Sequence, residues 1–147
     1  MSELLARLEA ATDADREIDA RLDHAVNRRG IYWGRGEDFG YTPPVNVDEW
    51  DDDRWAEVAR TLSSSTPSYT ATESHALDLC TKIAPHGRFM LERDHTGWGW
   101  AMVQLSVNSK RVMAEAKNPA LALCIALVDA QVRVSATAVD TLSSGQK

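Results

Sequence analysis

The sequence predicts an α+β fold in which a small antiparallel sheet of three or more strands packs with helices. Two observations carry that prediction. Between residues 87 and 116 the apolar residues recur at every second position, while the stretches on either side follow helical spacing. The last helical stretch, AEAKNPALALCIALVDA (114–130), is apolar nearly all round. A helix of that kind must be covered nearly all round, so the sheet can supply only part of its cover.

Taken in order, residues 2–11 form a short helix with Leu4, Leu5 and Leu8. Thr12 is the expected N-cap of a second helix, with Asp13 and Asp15 suiting its positive end. Ile18, Leu22, Ala25 and Val26 fall at helical spacing, and Asn27 to Gly30 is the expected stop. Residues 30–68 read as a long, irregular, aromatic-rich segment with a short helix over 53–62 and the acidic run DEWDDDRW. Segments of this kind tend to be functional or disordered, and six aromatic residues argue against disorder. Thr70 and Glu73 are spaced as a capping box for a helix whose stripe is Ala76, Leu77, Cys80, Ile83 and Ala84. Pro85 stops it. GRFMLER, GWGWAMVQLSV and KRVMAEA are three strands joined by DHTG and NS turns. Asn118 caps the last helix with Pro119 at its first position. Residues 1–133 are read as one domain and 134–147 as a flexible tail.

The chain has 147 residues, enough for a single core that needs no disulfide or metal. Its net charge of −6 gives it no general attraction to long nucleic acid or to anionic membranes. Cys80 and Cys124 sit in apolar helical patterns and read as buried free thiols. The N-terminus is charged throughout, unlike a signal peptide. No apolar run is read as reaching the length of a membrane span, so a cytoplasmic location is expected.

The middle strand poses the functional question. Ala101, Val103 and Leu105 share the face suited to the helices. Trp98, Trp100, Met102 and Gln104 share the other, which is too apolar to leave in water. Three covers are open: the 30–68 segment, a second subunit, or a ligand. Gly97 and Gly99 leave room for a ring or a backbone to come close.

No catalytic site stands out. His24, His75, His86 and His95 are dispersed, and read as solvated on helix faces or in turns. No GxSxG, HExxH, GxGxxG or phosphate-loop pattern is present, and no metal or cofactor is expected. Arg88, Arg93 and Arg111 lie on or beside the strands, and Arg28 ends a helix. Arg forks bind phosphate bidentately and indole faces stack on bases, so Arg with Trp would suit a nucleotide.

Four stretches carry a family resemblance: DREIDARLDHAV, PSYTATESHALDL, GWGWAMV and AEAKNPALALCIALVDA. Together they resemble the bacteriophage ABA-sandwich domain family of small phage and prophage proteins, over roughly half the chain. Members often carry Arg directly after the Cys of the last helix, and here Ile125 stands there. The resemblance implies an α-β-α sandwich. Some similar phage proteins are anti-Thoeris sponges, which oligomerise and sequester cyclic ADP-ribose-type or cyclic oligonucleotide signals without cleaving them. It therefore implies a homo-oligomer in the host bacterial cytoplasm that captures a nucleotide-derived small molecule. Trp98, Trp100 and Trp33 would stack on the base, and Arg88, Arg111 and Arg28 would hold phosphates. The alternative is an adaptor that binds a host or phage protein through residues 30–68. A third reading is a hydrolase using Asp or His from that loop.

Overall fold

A computed structural model describes residues 2–34 and 36–145, with side chains as far as residue 136. In chain order the elements are α1 (Ser2–Ala10), α2 (Arg16–Asn27), β1 (Ile31–Trp33), β2 (Gly40–Thr42), α3 (Pro44–Val47), α4 (Asp52–Ala59), α5 (Glu73–Ile83), β3 (Arg88–Arg93), β4 (Gly99–Gln104), β5 (Val112–Ala116) and α6 (Pro119–Gly145). The fold is α+β: a three-stranded antiparallel sheet packed against helices, with a separate two-stranded hairpin.

β3, β4 and β5 form the expected meander. Phe89 lies opposite Val103, and Val103 opposite Val112; Leu91, Ala101 and Ala114 form the next inward row. This inner face packs on α6. Asn118 starts α6 as its sequence suggests, its side chain accepting from the Leu121 amide at 2.8 Å. Gly99 is needed where β4 passes the start of α6, since a Cβ there would come within 2.2 Å of the Pro119 nitrogen.

The cover of α6 is now accounted for. Leu121, Leu123, Leu127 and Val128 are fully buried, with the sheet on one side and α1 and α5 on others. The N-terminal helix thus does part of the covering, through Leu4 and Leu8. Burying each such leucine contributes about 1.5–3 kcal/mol. The helix also runs past residue 133, where a tail was expected, to Gly145. No Gly or Pro occurs in 134–144 to break it. Its Pro119–Ala136 segment is long and apolar enough to cross a membrane by length and composition, which the sequence reading had not recognised; 56% of it is buried in the fold.

Residues 30–68 are more ordered than expected. The short helix expected over 53–62 is α4; with β1, β2 and α3, which were not foreseen, it encloses a second small core of Ile31, Val47, Trp55 and Val58 with Ala20 of α2. Trp33, Trp50 and Leu62 pack around it. Helix α2 therefore serves two cores, giving Ile18 and Leu22 to the large one and Ala20 to the small one. The segment does not lie over the outer face of the sheet, where Met90, Met113 and Trp98 remain exposed.

Two caps differ from expectation. Asp15, not Thr12, caps α2, accepting from the amides of Glu17 and Ile18. Thr70 does not cap α5. It is fully buried, and its amide and hydroxyl both donate to Asp19 at 2.8 Å. In a capping box the hydroxyl would accept from the Glu73 amide; here a tertiary carboxylate takes both the amide and the hydroxyl as donors.

Candidate functional site

The outer face of the sheet is banded across its strands. Arg88 and Gln104 form one row, with Arg111 in step with them one residue before β5. Met90, Met102 and Met113 form the next, and Glu92, Trp100 and Glu115 the third. Rows two residues apart on a strand are separated by about 7 Å, so the arginine and carboxylate rows lie about 13 Å apart. Met113 is 63% exposed and Met90 49%, flanking the buried Met102.

Trp98 stands just beyond the carboxylate row, 52% exposed. The turn before it is built around Asp94, whose Oδ1 accepts from the Thr96 hydroxyl at 2.6 Å, the Thr96 amide at 2.8 Å and the Trp98 amide at 3.1 Å. Those bonds, the Thr96 hydroxyl first, hold the Asp94 carboxyl below the usual carboxylate range. Gly97 takes φ +96° at the tip, a conformation that L side chains rarely adopt.

Trp98 and Trp100 share an open cleft of about 290 Å³, lined also by Glu92, Arg93, Asp94, Gly99 and Glu115. The fold thus brings the two principal expected indoles together. It does not bring the expected cations with them. Arg93 is engaged with Glu73 at 2.8 Å. Arg88 and Arg111 share the face but stand beyond the methionine row. Carboxylates therefore predominate around the indoles, and like charge disfavours a phosphate there.

Arg28 and Trp33 lie in the other half of the molecule. Arg28 ends α2 in the left-handed conformation and meets Asp48 at 3.4 Å. Trp33 points into the small core, with Nε1 donating to Thr42 Oγ1 at 3.4 Å and the Arg54 guanidinium 5.8 Å from its ring. On the opposite side of the same hairpin a second apolar patch is exposed. The Tyr32 ring centroid is 4.5 Å from Tyr41 and 5.6 Å from Phe39, and the three rings are 41–51% exposed.

Several polar residues escaped the sequence reading because their partners are remote in sequence. Asp19 and Asp23 fall four apart on one face of α2, in step with the Asp15 cap, and that spacing was the available signal. Asp19 receives Thr70 and Arg16; burial pushes its carboxyl above the usual range, and those hydrogen bonds pull it back. Arg16 also donates to the carbonyls of Ser63, Thr66 and Pro67, pinning the connection to α5. Asp23 accepts from the Tyr69 hydroxyl at 2.8 Å and from Arg29 at 2.7 Å. His24, expected to be solvated, is buried with Nε2 2.7 Å from Asp48. His75 accepts from the Ser68 amide at 2.9 Å, while His86 and His95 are exposed.

Both cysteines are buried and free, as expected. Burial pushes the Cys80 thiol up to about 12, and raises Cys124 as well. Neither is poised as a nucleophile. Among the described residues no group of three or more His, Cys, Asp or Glu could hold a metal ion.

No family model, curated protein or solved structure matches the chain.

Proposed function

We propose that the protein is a binding adaptor, whose contact with a partner protein is made by the Tyr32, Phe39 and Tyr41 patch. The observation that carries this reading is that the exposed Tyr32 ring packs against both Phe39 and Tyr41, themselves exposed, while the inward side of their hairpin is held in its own core. Aromatic anchors on a rigid support are what interface hot spots are made of. Glu37 and Asp38 are exposed beside Phe39, so the partner surface would be apolar with basic residues at its edge.

The segment cannot be deleted as a test, because Val47, Trp55 and Val58 belong to the core. Substitution to Tyr32→Ser/Phe39→Ser/Tyr41→Ser leaves those residues alone. Used as bait, this variant should lose a partner that the wild type and a Met90→Lys/Met113→Lys variant both retain. Equal capture by all three would count against the reading.

A second reading is capture of a nucleotide-derived signal in the host cytoplasm, as the phage resemblance implies. Trp98 and Trp100 in one cleft favour it, since each stacked base is worth about 1–3 kcal/mol. The ligand would have to reach from the indoles to Arg88 and Arg111 across the methionine row. Calorimetric titration with cyclic ADP-ribose isomers and cyclic di- and trinucleotides tests it. Heat that disappears in Trp100→Ala would support capture, and no heat across the panel would remove it.

A further inference from the structure

We infer that the outer face of the three-stranded sheet is the docking surface for a second copy of this chain, related by a twofold axis that runs across the strands along the methionine row. The inference does not depend on either functional reading above.

It starts from the order of the bands. On β3 the outward residues run Arg88, Met90, Glu92, and on β5 with its approach Arg111, Met113, Glu115. Both edge strands carry a cation on one side of a methionine and a carboxylate on the other, and the cations are at the same end. β4 carries Gln104, Met102 and Trp100 in the same rows.

Two identical faces can stack about a twofold lying in the plane between them. If the axis ran along the strands, β3 would cover β5, with Arg88 over Arg111 and Glu92 over Glu115. Like charge would meet like charge in both charged rows. If the axis runs across the strands through the methionine row, each edge strand covers itself in reverse. Arg88 then meets Glu92 of the second copy, Arg111 meets Glu115, and the two methionine rows meet each other. Gln104 is laid over Trp100. The axis across the strands is the one that turns the banding into self-complementarity.

The centre of such a contact has the right chemistry. Met90 and Met113 are exposed and Met102 lies between them, giving an unbranched, adaptable apolar strip. The charged rows would form its rim. Three strands of about five residues make a face of about 17 by 14 Å, well below a standard interface, so the association should be weak and readily reversible.

Sedimentation equilibrium on the full chain, from low micromolar to near-millimolar concentration, tests this. The expected result is a reversible monomer–dimer equilibrium. Arg88→Glu/Arg111→Glu makes both ends of the face acidic, and Glu92→Arg/Glu115→Arg makes both basic. Each variant alone should show a dissociation constant at least tenfold higher than the wild type. Mixed in equal amounts they should form a one-to-one heterodimer at wild-type strength or better. Circular dichroism before mixing establishes that each variant is folded, and Asp13→Arg/Glu49→Arg, reversed away from the sheet, serves as the charge control and should dimerise as the wild type does. A monomer at every concentration would overturn the inference. So would a dimer that both reversals leave intact, or two weakened variants that fail to rescue each other.

Discussion

The two cores of this molecule are built in different ways. The larger, between the sheet, α6, α1 and α5, is held by regular elements whose apolar faces fit one another. The smaller, between the 30–62 hairpin region and α2, has few buried residues and short elements. Side-chain polar contacts fasten it: His24 to Asp48, Arg54 beside the Trp33 and Trp50 rings, and Arg21 over Trp55. Apolar periodicity builds most of the larger core, which Tyr69, Thr70 and the α2 aspartates then fasten, whereas the short elements of the smaller one depend on polar and aromatic partners throughout.

The sharpest way to break the comparison is Leu127→Ala. It empties a fully buried site on α6 and should cost about 2–5 kcal/mol. Because α2 is common to both cores, tryptophan fluorescence and far-UV circular dichroism should report the same lowered midpoint in urea. A small core that stays folded while α6 unfolds would mean that the two are independent. Val58→Ala, inside the small core, should cost less, about 1.6 kcal/mol for two buried methyl groups. Its effect should be local: faster amide exchange in Ile31–Trp33 with little change in α6.

Tyr69 joins the connection before α5 to α2 through Asp23, and offers a pH test. Burial, then the Asp23 carboxylate, push its phenol above the usual tyrosine range. A folded-state value raised above the unfolded one contributes stability that is complete below the unfolded value, about 10, and fades as pH rises through the folded value. Stability should therefore fall on the alkaline side in the wild type. Tyr69→Phe should lose about 1 kcal/mol at neutral pH and flatten that alkaline fall. The smallest effect belongs to the open sheet face. Met113→Lys should change monomer stability by no more than about 0.5 kcal/mol, because nothing in the chain covers it. A larger loss would mean that this face is structural.

The same contrast explains what was legible. The three strands, their turns, the Asn118 cap and the all-round burial of α6 follow from local spacing, and local spacing is visible in a sequence. Trp98 and Trp100 could be placed on one face for the same reason. Their acidic surroundings were not foreseen, because Glu92 and Glu115 join Trp100 only through strand register. Thr70 reads as a cap until Asp19, 51 residues earlier, claims it. Apart from α4, the 30–68 segment looked irregular because β1, β2 and α3 are only three or four residues long, too short for periodicity to register. Its order comes from Trp55, Val47 and the buried His24, which meet only in three dimensions.

The sheet keeps one face for its own helices, and the proposed dimer lays a copy of the chain on the other. Methyl NMR of methionine-labelled protein, recorded as concentration is raised, tests it directly. The Met90, Met102 and Met113 signals should shift or broaden together as the dimer forms, while the aromatic signals of Tyr32 and Tyr41 stay still. Three methionine signals that do not move at any concentration would contradict it.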